Sequence, residues 1–235
     1  MSEEEIEPLA RPKFGTPEVR SHYAILAPNY GTRANVACAH AYARLVTRTL
    51  ADRVHVLEVG AGSSPVLDQL TAARRAACDF SLPMLANARR PMGWPRVAAE
   101  AQALPFPDST FDAVLSINLL EHLTDTSAFV SEAARVLAPG GRFLAVTPNG
   151  DAEWLLDLLE RWHLKLPEGP HRFLGFRKLA DLAGREFRVL EHRAFLAFPA
   201  GPSAFVRALD RLLAGPTGRG LFQFVLCEKV AGARA

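Results

Sequence analysis

Cysteine is scarce. Only Cys38, Cys78 and Cys227 occur in 235 residues, far apart and without metal-ligand spacing. That argues against a disulfide framework and fits free thiols in a reducing cytosol. An excess of one charge is lacking as well: the formal net charge is +2. Composition therefore gives a nucleic-acid partner no electrostatic support. No apolar run reaches the roughly 18 residues of a membrane span. The opening stretch MSEEEIEP has neither the basic nor the apolar region of a signal peptide. The expectation is a cytoplasmic protein without a membrane span. Internal repeats and low-complexity tracts are missing too.

What is present is a large apolar fraction, 49%, enough for a substantial core. The length suits one α/β domain over 1–235. Residues 1–50 read as an N-terminal arm, loose and proline-rich to residue 20, followed by a helical cap at 21–50. Short strands are expected at Arg53–Val59, Ala76–Asp79, Arg96–Ala99, Ala113–Ile117 and Arg142–Thr147. Helices are expected at Pro65–Arg74, Leu82–Arg89 and Thr126–Leu137, the last stopped by Pro139-Gly140-Gly141. Strands apolar on both faces, alternating with helices, predict a parallel sheet covered on both sides. After Pro148 the character changes. Helices at Trp154–Trp162 and Phe176–Ala183 and strands at Phe187–Phe195 and Leu221–Val230 surround an insertion at 199–220.

The stretch VHVLEVGAGSSP, residues 54–65, ends a strand in Gly60-Ala61-Gly62. Such a turn lets the backbone approach a ligand. A dinucleotide site wants a third glycine at position 65, where this chain has Pro65, and a pyrophosphate ligand is disfavoured. Glu58, near the end of that strand, needs a partner for its charge: a cationic group or loop N–H groups. Asp79, about 20 residues on, suits a carboxylate that accepts ribose hydroxyls or caps the next helix.

Residues 96–147 carry further ordered motifs: AEAQALPF, FDAVLSINLLEHL and VLAPGGRFLAVTPN. With LEVGAG and Asp79 in CDFSLPMLANA, the chain resembles the class I S-adenosylmethionine-dependent methyltransferases over about residues 53–149. The subgroup it resembles acts on small molecules and includes ubiquinone and menaquinone biosynthesis methyltransferases. The resemblance implies a Rossmann-like, seven-stranded, mostly parallel sheet with helices on both faces and a final antiparallel strand. It implies residues 51–149 as the cofactor-binding core and 150–235 as the acceptor side.

By the same resemblance Glu58, Gly60, Ala61 and Gly62 lie under the methionine part of S-adenosylmethionine. Asp79 holds the ribose hydroxyls, and Phe80 and Ser81 lie by the adenosine. Glu100, Ala101 and Gln102 fall near the adenine, although the usual Asp is absent there. Ser116, Ile117 and Asn118 sit beside the methyl group. Tyr23 and Tyr30, in an entry segment YAILAPNYGTR, offer an aromatic face or hydroxyl to the cofactor. The expected reaction is in-line methyl transfer to a small-molecule acceptor, on O, N or C.

An acceptor hydroxyl needs a base. His122, in LLEHL, and His171, in LPEGPHRFLGF, are the two candidates. Asn149 is expected to turn its amide toward the acceptor. No full ligand set for a metal is visible. Where DNA adenine methyltransferases carry Asn/Asp-Pro-Pro-Tyr/Phe, this chain reads Ser116-Ile117-Asn118-Leu119, which disfavours nucleic-acid substrates. The apolar faces at Trp154–Trp162 and in the insertion at 199–220 suit a lid over an aromatic or lipid-like acceptor, although a helix covering the sheet is the simpler reading of Trp154–Trp162. Arg207, Arg211 and Arg219 beside Phe205 and Leu212 raise the idea of membrane contact, which is disfavoured. The remaining alternative is a partner or regulatory protein that binds the cofactor without catalysis. Oligomeric state is not legible.

Overall fold

The computed structural model describes residues 16–30, 36–64, 66–72, 74–86, 94–156, 171–195 and 218–230. Side chains at 16, 26–30, 36 and 37 lie outside that description, as do residues 157–170 and 196–217, and with them most of the expected helix at Trp154–Trp162 and of the insertion at 199–220.

Two helices come first, α1 (Thr16–Tyr30) and α2 (Val36–Leu50). The strands are β1 (His55–Val59), β2 (Arg74–Asp79), β3 (Arg96–Ala98), β4 (Phe111–Ile117), β5 (Leu137–Pro148), β6 (Arg188–Phe195) and β7 (Phe222–Glu228). Helix α3 (Leu82–Ala86) follows β2, α4 (Thr126–Val136) precedes β5, and α5 (Phe176–Ala183) precedes β6. All seven strands form one sheet in the order β3-β2-β1-β4-β5-β7-β6. β1 pairs in parallel with β2 and β4, and β4 in parallel with β5. The last strand, β7, runs antiparallel between β5 and β6, as expected.

The apolar alternation places this sheet between two cores. Leu57, Val114 and Val225 face α4 and α5, where Phe129, Val130, Ala133, Leu179 and Leu182 are buried. Val56, Leu115 and Val146 face α2, against Tyr42, Leu45, Val46 and Leu50. Burial on both faces explains why β1 and β4 are mostly apolar rather than alternating. Asp125 starts α4 by accepting from the Ala128 N–H at 3.0 Å, an N-cap contact worth about 1 kcal/mol.

Five expectations change. The arm expected to be loose to residue 20 is helical from Thr16, and the helix expected over 21–50 is two helices. The helix expected from Pro65 to Arg74 is only a 3₁₀ turn, Val66–Gln69. The Arg75 guanidinium donates to the carbonyls of Leu67 and Leu70 at 3.1 and 3.0 Å and stacks 4.5 Å over Trp94. The Leu67 carbonyl also accepts from the Leu70 N–H at 3.2 Å, so the arginine caps a turn that has already closed. Pro139-Gly140-Gly141 does not separate helix from strand, because β5 begins at Leu137. Gly140 N–H donates to Lys229 O, and Lys229 N–H to Gly141 O, so the ladder runs through the glycines. Finally, Trp154 is exposed while Leu156 is buried, so Trp154 does not head the covering face of its helix.

Candidate active site

The strand order reverses between β1 and β4. In an open α/β sheet the chains leave such neighbouring strands in opposite directions and open a crevice at their carboxyl ends. A pocket lies there, lined by Val19, Val59, Gly60, Asp79, Phe80, Ala99, Glu100, Ala101, Gln102, Leu119, His122 and Leu123.

The glycine turn forms its floor. Gly60 and Ala61 N–H groups donate to Cys78 O at 2.9 and 3.0 Å, which ties β1's exit to β2. Gly60 has φ +73°, and a Cβ there would lie 2.8 Å from Leu119 Cδ1. Both conformation and space therefore demand glycine. Gly62 also has positive φ, and its N–H donates to Asp79 Oδ2 at 2.8 Å. Asp79 Oδ1 accepts from the Ser81 N–H at 2.8 Å. One carboxylate thus joins the glycine turn to the start of α3. Burial, and secondarily Glu100, raise the Asp79 pKa, while its two N–H bonds oppose the rise. Each oxygen keeps a second lone-pair site for an outside donor.

Glu58 is a different case. It is 1% exposed, and its Oε2 is buried without a hydrogen-bond partner. Burial pushes its pKa up to about 8, opposed by a hydrogen bond with Ser64 and reinforced by Asp79 and Asp68. Neither the loop N–H groups nor a cation meets Oε2. Serine at 64 thus has a role beyond starting a helix.

The remaining residues divide between the pocket and its rim. Phe80, Glu100, Ala101 and Gln102 line it. Ser81 is buried with its hydroxyl unpartnered. Glu100 forms an ion pair with Arg20 of α1 at 2.5 Å. Asn118 closes β4 in a left-handed conformation, φ +52°, with its N–H on Val146 O. Its side-chain amide lies 3.3 Å (Nδ2) from the Tyr42 hydroxyl of α2. His122 lines the pocket and meets the Tyr23 hydroxyl at 2.7 Å. Tyr30 ends α1, and its side chain is outside the described residues.

His171 is not a pocket-lining residue; it stacks on Phe173 with centroids 4.1 Å apart. The Arg172 N–H donates to Glu121 O at 2.7 Å, so this segment runs beside the turn that carries His122. Asn149 does not turn its amide to a cleft. Its Nδ2 donates to Gly218 O and Gly220 O at 2.8 and 3.0 Å, and its Oδ1 accepts from the Asp151 N–H. The amide is spent on holding the end of β5 to the start of β7. Among the described residues no cluster of three or more His, Cys, Asp or Glu suits a metal, and no helix is long and apolar enough to cross a membrane.

Sequence reasoning missed Val19, Leu119, Leu123, Arg20 and Tyr42. The first three carry no chemical signal beyond apolarity. Arg20 and Tyr42 meet partners 80 and 76 residues away, which no local spacing reveals.

A glycine turn, a carboxylate bridging it to the next helix, and a pocket at the switch point are joined by a match of residues 57–145 to the family model for a methyltransferase domain. Over this stretch the chain is similar to S-adenosylmethionine-dependent methyltransferases. The chain is 39% identical over 99 residues to a probable S-adenosylmethionine-dependent methyltransferase of Mycolicibacterium smegmatis, covering 40% of this chain and 38% of that one. It is 34% identical over 151 residues to a demethylmenaquinone methyltransferase of a Mycobacterium species (strain KMS), covering 59% of this chain and 65% of the relative. The chain thus spans less than two thirds of these relatives' lengths. Among solved structures, a SAM-dependent methyltransferase of Thermotoga maritima, described as a possible histamine N-methyltransferase, superposes with TM-score 0.72. It covers 90% of this chain and 99% of its own at 20% identity, a likeness of fold.

Proposed function

We propose that the protein binds S-adenosylmethionine in the switch-point pocket and transfers its methyl group to a small-molecule acceptor. The observation that carries this reading is the Asp79 carboxylate. It stands at the carboxyl end of β2, held by two backbone N–H groups, with acceptor capacity left for a ribose diol. The donor set fits the cofactor in a second respect: the buried, unpartnered Oε2 of Glu58 suits a ligand with an ammonium group or N–H donors.

In this reading Gly60, Ala61 and Gly62 give the ligand backbone access, and Phe80 and Ser81 border the adenosine. Glu100, Ala101 and Gln102 form the adenine side. The cofactor supplies an activated methyl group on a sulfonium. The chain's own residues hold the acceptor, exclude water and take up its proton. Asn118, oriented by Tyr42, and Tyr23, on α1, border the transfer end. His122 and His171 are the proton-accepting candidates, and His122 is favoured because it lines the pocket. Residues 51–149 serve the cofactor and 150–235 the acceptor, all within one domain and in the cytoplasm.

The test is a screen of phenolic, amine, sugar and quinone acceptors for S-adenosylhomocysteine release by the purified protein. Release with one acceptor class is expected. No release with any of them, despite cofactor binding, would favour a partner or regulatory role. With an acceptor in hand, single-turnover rates of His122→Ala should fall by about a hundredfold, within the range of general-base catalysis. His171→Ala should change the rate less.

A further inference from the structure

Glu58 shares a face of β1 with Val56, the face toward α2. Its register neighbours are Ala77 on β2 and Leu115 on β4. The helix on that face brings Tyr42, Leu45 and Val46, none of them a cation. Ser64, whose hydroxyl oxygen accepts from the Val66 N–H at 3.2 Å, also hydrogen-bonds the Glu58 carboxyl. The other oxygen, Oε2, is buried and unmet. The charged groups that act on Glu58 are Asp79, at the end of β2, and Asp68, in the 3₁₀ turn. Both are anions. The Cys78 thiol of β2 lies within the same field and is itself pushed up to about 12, chiefly by burial. A buried carboxyl among anions, with no cation acting on it, stays a neutral acid.

We propose that Glu58 exchanges its proton for the ammonium group of the ligand, so that binding of an adenosyl ligand with an amino-acid end releases one proton to solvent. This rests on the reading of the pocket as the cofactor site, with the methionine end over the glycine turn.

The exchange balances. In the ligand-free protein the carboxyl keeps its O–H, and the entering ammonium keeps its three N–H bonds. The O–H bond breaks, its electron pair stays on the carboxylate, and the proton passes to the buffer. A neutral acid and a cation become an ion pair and a free proton. Burial holds the empty-site carboxyl at a pKa of about 8, and a cation beside it lowers that value. Between the two values, affinity rises with pH by about tenfold per unit for one displaced proton. The exchange also selects: a ligand with the adenosine but no ammonium has nothing to put in the proton's place. Asp79 is a second carboxyl whose pKa burial raises, but it faces the ribose, which both kinds of ligand carry.

The experiment is calorimetry on the full chain between about pH 6 and pH 7, in two buffers of different ionisation enthalpy. The ligands are S-adenosylhomocysteine and 5′-methylthioadenosine, which keeps the adenosine and sulfur and lacks the amino-acid end. The wild type should release close to one proton more with S-adenosylhomocysteine than with methylthioadenosine. Its affinity for S-adenosylhomocysteine should rise about tenfold over that pH unit, beyond any rise shared by methylthioadenosine. Glu58→Gln, neutral at every pH, should lose both the extra proton and the extra rise. A wild-type affinity that is flat with pH, or whose rise methylthioadenosine matches, would overturn the proposal and leave the cofactor reading standing. So would a Glu58→Gln protein that keeps the wild-type proton release. A wild type that binds neither ligand would overturn the cofactor reading and the proposal with it.

Discussion

The carboxyl ends of β1 and β2 can be compared with those of β5 and the adjoining start of β7, a few strands away. Both places bury polar side chains. Around β5 and β7 the protein satisfies them itself. Thr147 donates to Glu121 Oε2 at 2.9 Å, Asn149 makes three bonds, and Gln223 donates to Leu174 O at 2.6 Å. At β1 and β2 the accounts stay open. Glu58 Oε2 has no partner, and Asp79 keeps lone pairs facing the pocket. Closed polar groups hold the backbone in place. Open ones cost stability and await a ligand.

The comparison predicts mutations of opposite sign. The largest effect is at Glu58. Its folded-state pKa, about 8, lies above its ordinary value. The folded state therefore binds the extra proton, and stability falls as pH rises from the ordinary carboxylate range through about 8. Glu58→Gln removes that penalty. In the ligand-free protein it should raise stability at pH 9 by on the order of 2–4 kcal/mol and change it little near pH 4. Urea unfolding at the two pH values measures this; equal effects at both would break the contrast. Next is Asn149→Ala, which strands Gly218 O, Gly220 O and the Asp151 N–H. It should destabilise by about 1–3 kcal/mol at every pH and leave cofactor affinity unchanged. The smallest is Ser116→Ala. The Ser116 hydroxyl is fully buried and unpartnered, so removing it should change stability by under about 0.5 kcal/mol or raise it slightly. A clear loss in thermal unfolding would show that the hydroxyl has a partner.

Much of this was legible in the sequence, for physical reasons. Strands buried on both faces announce themselves as apolar runs, and β4 is one. The turn at Gly60 is forced by positive φ and by Leu119, so its glycines had to appear. α5 was placed residue for residue because its apolar side chains recur on one face. What stayed hidden depends on distant pairs. Residues 16–20 read as a loose arm because Pro17, Glu18 and Arg20 show no helical apolar pattern, and what holds them is the pocket wall. Asn149 read as an acceptor-facing amide because strand-end placement does not reveal the carbonyls of 218 and 220. Glu58 read as a charge needing a cationic group or loop N–H groups, and only the structure shows Ser64 beside it and Oε2 unmet.

The central claim is that Asp79 anchors S-adenosylmethionine. Calorimetric titration of the cofactor into wild type and Asp79→Ala tests it most directly. Wild type should bind one equivalent. The variant should bind about a hundredfold more weakly, because two charge-assisted hydrogen bonds to the ribose are lost. Equal affinity in both proteins, or no binding by the wild type, would contradict the account.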